Sequence, residues 1–146
     1  MSQNIDFQYK YKNGDTWASG FINIDSNKFE FVCSYLFENP LEDLLNCVYQ
    51  LVPNLSAFPR KQIDFTMLDE PLEYRWEFKM IDDRNVHISI YLKNYDLKTK
   101  KVFEDKCKLN NLIRAFVQCI NSNLELKSNE NIERLYREFN LHLKNH

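Results

Sequence analysis

The sequence predicts an α+β fold: an antiparallel sheet of six to seven strands with helices packed on one face. Three observations predict it. Apolar and polar residues alternate in several short runs separated by polar turns, while three other segments repeat apolar residues at helical spacing. The helical segments follow groups of strands, after the third and after the last, which is not the strand-by-strand alternation of a parallel sheet. The order is three strands, helix, three or four strands, helix, helix. At 146 residues the chain reads as a single domain, 1–146, because one core is the usual solution for about 100 to 150 residues.

The first strand is Ile5 to Lys12, where Ile5, Phe7, Tyr9 and Tyr11 share one side and Asp6, Gln8, Lys10 and Lys12 the other. Asn13-Gly14-Asp15 then turns the chain, since glycine accepts positive φ without cost. A second strand runs from about Thr16 to Ile24. After a turn at Asp25-Ser26-Asn27, a third runs from Lys28 to Tyr35 with Phe29, Phe31, Cys33 and Tyr35 on one face.

Asn39 is a helix cap, Pro40 fits the first helical position and Glu42 follows as in a capping box. Leu41, Leu44, Leu45, Val48, Leu51 and Val52 form one apolar stripe, and Pro53 prevents continuation. A second meander begins near Gln62. Its clearest strand is Leu72 to Met80, where Leu72, Tyr74, Trp76, Phe78 and Met80 alternate with Glu73, Arg75, Glu77 and Lys79. Asp82 to Asn85 turn the chain into Val86 to Lys93. A more polar seventh strand, Leu97 to Phe103, suits a sheet edge, where lysines discourage pairing with another molecule.

The second helix carries Leu109, Leu112, Ile113, Phe116, Val117 and Ile120 on one face; the third, from about Asn129 to Lys144, carries Ile132, Leu135, Tyr136, Phe139 and Leu143. Leu41-x-x-Leu44-Leu45 and Leu109-x-x-Leu112-Ile113 open similar helices after each meander. A degenerate duplication is one reading, and the ordinary leucine spacing of amphipathic helices is the other.

Composition narrows the function. The 19 basic and 21 acidic residues nearly cancel, which removes the counterion-release drive of most nucleic-acid binders and argues against a nucleic-acid partner. Met1 to Lys12 lacks the basic-then-apolar order of a secretory signal. The most apolar window, Leu41 to Val52, is interrupted by Glu42, Asp43, Asn46 and Gln50, short of the about 20 apolar residues that span a bilayer. A cytoplasmic protein without a membrane segment is expected. Cys33, Cys47, Cys107 and Cys119 lack CxxC spacing and read as buried reduced thiols, so no metal is expected.

The two glycines, Gly14 and Gly20, cannot build a P-loop or a dinucleotide fingerprint. No cofactor is expected. His87 is the one histidine inside a clear strand, on its polar side, and catalysis there needs partners brought by the fold. Glu73 and Glu77 lie about 13 Å apart along their strand, beyond the about 5 to 9.5 Å of a glycosidase pair. Together with Glu70, Asp82 and Asp83 they form instead a candidate acid-rich surface for a protein partner.

Ser34-Tyr35-Leu36 ahead of Pro40-Leu41-x-x-Leu44-Leu45, followed by Glu70-Pro71-x-x-Tyr74-x-Trp76-x-Phe78 and a helical C-terminal segment, resembles a group of small, largely uncharacterised bacterial proteins. Some of these look like immunity proteins of polymorphic-toxin or contact-dependent inhibition systems. The resemblance spans about Phe29 to Phe139 and implies a non-catalytic protein that binds and neutralises one cognate toxin domain, without a cofactor. It carries over no catalytic residue. The competing expectations are a housekeeping interaction domain, as a monomer or a homodimer joined through an edge strand, and a small enzyme using His87 with carboxylates.

Overall fold

The computed structural model describes residues 3–36, 38–94, 96 and 98–146. Its strands are β1 (Ile5–Lys10), β2 (Trp17–Ile24), β3 (Asn27–Ser34), β4 (Gln62–Asp69), β5 (Leu72–Met80), β6 (Asn85–Lys93) and β7 (Thr99–Lys108), and its helices α1 (Pro40–Tyr49), α2 (Leu109–Ser122) and α3 (Glu130–Asn145). A short 3-10 segment, Leu124–Ser128, joins the last two helices. The predicted element order is therefore present.

Turn chemistry sets the registers. Gly14, at φ +93°, turns β1 toward β2. Ile24 pairs with Asn27, leaving Asp25 (φ 49°) and Ser26 (φ 74°) as a two-residue turn with both centres left-handed. That conformation matches the right-handed twist of the flanking strands. Asp25 is held there because its Oδ1 accepts from the Asn4 amide at 2.9 Å and its own amide donates to the Asn4 carbonyl at 2.9 Å. In the β4–β5 turn, Glu70 and Pro71 lie between paired Asp69 and Leu72, and the Glu70–Pro71 bond is cis.

The expected single sheet is two sheets: β1-β2-β3, and β4-β5-β6-β7, both antiparallel meanders in chain order. The break falls where α1 and its loops separate β3 from β4, so no hairpin enforces pairing there. The sheets instead meet through aromatic side chains. Phe29 and Phe31 of β3 place their rings 5.9 and 5.7 Å from Trp76 of β5, at 78° and 81°, the edge-to-face geometry that aromatic quadrupoles favour. Trp76 and Phe78 are fully buried. A polar seam closes the same junction: the Asn27 side chain donates to the Glu104 carbonyl (3.0 Å) and to Asp105 Oδ2 (3.1 Å), and Gln3 donates to the Lys106 carbonyl (2.8 Å). These bonds occupy part of the outer backbone edge of β7.

The seventh strand is displaced from its expected span. Leu97 lies outside the described residues, and the strand runs on to Lys108 because Phe103 and Cys107 continue the buried alternation beyond Phe103. A bulge opposite Ile90 and Tyr91 inserts Val102, so Phe103 pairs with Ile90 while Lys101 pairs with Tyr91. That extra residue interrupts the period-two signal just before Phe103, the expected end of the strand. The strand is an edge, as its lysines suggested.

α1 and α2 each pack on the other meander, and α3 packs on both of these helices. α1 begins with Asn39 accepting from the Glu42 amide at 3.1 Å. The Glu42 carboxylate does not return to the cap but accepts from Asn131 of α3 at 2.7 Å. The helix ends at Tyr49, and Leu51 and Val52 stay buried in the turns that follow. α1 packs on β4 and α3, whereas α2 packs on β1, β7 and α3. Phe116 of α2 meets Phe7 of β1 edge-on, with centroids 5.0 Å apart. Each meander's helix thus covers the first strand of the other meander. The strand-and-helix order repeats, as the duplication reading noted, but with three strands against four.

Candidate functional site

Period-two alternation gives the four-stranded sheet one buried and one wet face. Tyr74, Trp76 and Phe78 pair across the sheet with Leu92, Ile90 and Ile88 on the core side. On the other side, Arg75 of β5 stands between Thr66 of β4 and Tyr91 of β6, and Tyr91 pairs in turn with Lys101 of β7. This wet face carries an ordered array of polar side chains.

Its side chains are wired together across all four strands. The Arg75 guanidinium donates to Glu77 at 2.9 Å and reaches Asp64 at 3.5 Å, and lies 4.8 Å from the centroid of the Tyr91 ring. Lys101 approaches the same ring at 5.7 Å and donates to Glu104 at 2.6 Å. Glu104 is also 3.2 Å from His87 Nε2. Hydrogen bonding to Lys101, then its charge, holds the Glu104 carboxyl below the usual range, and the same hydrogen bond raises Lys101. Arg75, Lys101 and Glu104 remain close to half exposed, at 44%, 44% and 47% of their side chains. Such pairs add little stability in water, but they hold long side chains in defined positions.

The five carboxylates expected to form an acid-rich patch do not gather into one. Glu73 and Glu77 share the wet face, as their spacing required. Glu70 lies in the turn at one end of β5 and Asp82 and Asp83 in the turn at the other, with a strand about 26 Å long between them. Asp82 serves its own turn: Oδ1 accepts from the amides of Arg84 and Asn85, both at 2.8 Å, and these bonds lower its pKa. The face is mixed in charge, because Asp64, Glu73, Glu77 and Glu104 are interleaved with Arg75, Lys79, Lys93, Lys101 and Lys106.

His87 acquires partners from the fold. Its Nε2 faces Glu104, and Nδ1 is 3.5 Å from the Ser89 hydroxyl. That distance is at the limit of hydrogen bonding. Ser89 is 2% exposed, and it sits mid-strand between two laddered neighbours, where backbone amides are already paired. Serine, imidazole and carboxylate therefore form a packed row across β6 and β7.

All four cysteines are free and buried. Among the described residues, no group of three or more His, Cys, Asp or Glu is placed to hold a metal ion, and no helix is long and apolar enough to cross a membrane.

Compared with protein-family models, with curated proteins and with solved structures, the chain matches none.

A second polar cluster lies on the other sheet. The buried Tyr9 hydroxyl bonds to the Tyr35 hydroxyl and lies 3.6 Å from Cys33 Sγ, while the Tyr35 ring stacks on Tyr11 with centroids 3.9 Å apart. Burial pushes both Tyr9 and Tyr35 well above the ordinary phenol range. These hydroxyls stay protonated and act as structural bonds.

Proposed function

We propose that the protein is a non-catalytic protein-binding domain of the immunity type, which neutralises one cognate bacterial toxin domain through the wet face of its four-stranded sheet. The observation that carries this reading is the network across that face, in which Arg75, Tyr91 and Lys101 form a cation–aromatic cluster tied at both ends to carboxylates. Arginine and tyrosine are the residue types that most often anchor protein interfaces, and fixing them before binding reduces the entropy lost on association. The interleaved charges suit selection of one partner over others, since a mismatched surface would bury unpaired charge. Packing of Ser89 within the strand ladder supports a binding role for His87 and Glu104 over a reactive one.

The test is a pulldown with the tagged full chain from its native organism, followed by mass spectrometry and repeated with Arg75→Glu and Tyr91→Ala. Recovery of a toxin domain at one to one, lost in both variants, is the expected result. Recovery of no partner from cells that express the neighbouring genes overturns the immunity reading, and a partner retained by both variants overturns the assignment of the face.

A further inference from the structure

Among the large apolar side chains of the described residues, Phe58 is the most open to water, at 88% exposed. Its loop is tied down on both sides. After α1, the Leu55 and Ser56 amides donate to the Val52 carbonyl at 3.1 and 3.0 Å, the Arg60 amide to the Gln50 carbonyl at 2.7 Å, and the Met80 amide to the Lys61 carbonyl at 2.7 Å. Pro53 and Pro59 restrict the backbone further. This frame holds the ring outward before any partner arrives, which lowers the entropy cost of burying it. Single exposed apolar residues are ordinary on a protein surface, but Phe58 does not stand alone.

The residue after it, Pro59, lines a groove of about 350 Å³ at the end of the four-stranded sheet. Leu51, Pro53, Met80 and Ile81 complete its apolar lining, and Ile81 is itself 53% exposed. A cavity of roughly 150 Å³ is enough for a benzene ring, so the groove has room for a phenyl side chain. The charges at its rim have opposite signs: Arg60 and Lys61 at the end of the loop, Asp82 and Asp83 in the β5–β6 turn. Asp82 is engaged by its own turn. Arg60, Lys61 and Asp83 make no ion pair among the described residues.

We infer that this patch is a dimerisation surface for a second copy of the chain, with Phe58 of each protomer entering the groove of the other. Knob and groove are neighbours, so a twofold axis between them makes both insertions at once and closes the pair. The same rotation sets Arg60 and Lys61 of each protomer against Asp83 of its partner. The patch is thus complementary to itself in both shape and charge, and a second copy supplies every group it lacks. A buried phenyl ring contributes about 150 to 250 Å², so the two rings supply less than half of the about 1,200 Å² of a stable interface. The dimer is therefore a weak one, with a dissociation constant of about 10 to 100 µM. It is built from the α1–β4 loop and the β5–β6 turn, not from the wet sheet face, and does not depend on the immunity reading.

The test is sedimentation equilibrium of the purified full chain from about 1 µM to about 1 mM, with amide NMR spectra reporting whether each variant is folded. A parent chain that passes from monomer to dimer across this range is expected. Phe58→Ala should raise the dimer dissociation constant by about a hundredfold, since one substitution removes the anchor twice. Asp83→Arg should raise it by about tenfold. Arg60→Asp combined with Asp83→Arg should restore it, while Arg75→Glu on the sheet face leaves it unchanged. A chain that stays monomeric, a dimer that Phe58→Ala leaves intact, or a double variant no tighter than Asp83→Arg overturns the inference. A monomeric chain that captures a toxin domain and loses it on Phe58→Ala gives the patch to that partner instead, and overturns it equally.

Discussion

Trp76 and Phe29 meet edge to face across the junction of the two sheets, with centroids 5.9 Å apart and ring planes at 78°. No backbone bond joins β3 to β5, so side-chain packing at this point holds one sheet against the other. Trp76→Ala is expected to cost about 3 to 5 kcal/mol, the range for emptying a large aromatic site in a core. The indole Nε1 is buried without a partner, so Trp76→Phe removes area but also relieves an unpaired donor. Its cost in urea denaturation should be less than half that of the alanine variant; equal costs would mean that the indole nitrogen is satisfied.

Gly20 marks a close approach of strands. A Cβ there would lie 2.2 Å from the Gln8 carbonyl oxygen and 2.8 Å from the Phe31 ring. Because the nearer obstacle is backbone of the adjacent strand, relief requires β1 and β2 to separate. Gly20→Ala should therefore destabilise by about 1 to 3 kcal/mol, the usual cost of overpacking, against a smaller cost for Gly14→Asn, where no atom lies within 4 Å and only the positive φ strains the side chain. Thermal unfolding of the two variants side by side checks the difference.

The carboxyls of Glu38 and Asp43 are both held above the usual range at the entrance to α1. Burial, then mutual charge, holds Glu38 above the usual carboxylate range; burial, then the nearby Glu42 charge, raises Asp43, and the bond from Glu38 partly offsets this. The folded chain binds these protons more tightly than the unfolded chain. Their contribution is therefore fully favourable below the ordinary carboxylate range and is lost as pH rises from there through the raised values. Asp43→Asn should be more stable than the parent at about pH 7, with the gain vanishing near about pH 3.5. Denaturant titrations at the two pH values read this directly, and a variant less stable at neutral pH would contradict the raised Asp43 carboxyl.

The thiols should be inert in the folded chain. Burial pushes Cys33 and Cys119 to about 11 and Cys47 and Cys107 to about 12, so almost no reactive thiolate exists at neutral pH. A thiol-exchange reagent is expected to modify none of the four rapidly in buffer and all four in urea. Fast modification of any one in buffer would show local opening at that element.

Alternation along β5 identified which residues face the core, and Asn39-Pro40 marked the start of α1, because these signals are local. Strand partners are not local. The separation of β3 from β4 depends on aromatic packing between Phe29, Phe31 and Trp76, and no spacing in the sequence encodes that choice. The candidate site was partly legible for the same reason. Glu73 and Glu77 were assigned correctly to the wet side of β5, but their relation to Tyr91, Lys101 and Glu104 needs the register of three strands and the bulge at Val102. Grouping Glu70, Asp82 and Asp83 with them followed nearness in sequence, whereas an extended strand carries its two ends far apart.

The crossing of the helices governs how the chain is made. Phe7 cannot meet Phe116 until the ribosome has added more than a hundred residues, which at about 5 to 20 residues per second takes roughly 5 to 20 s. During that interval the inner face of the first meander has no α2 to cover it, and it is a natural binding surface for a chaperone. Once α2 arrives, both halves close together, and neither can be released from the ribosome as a finished module ahead of the other.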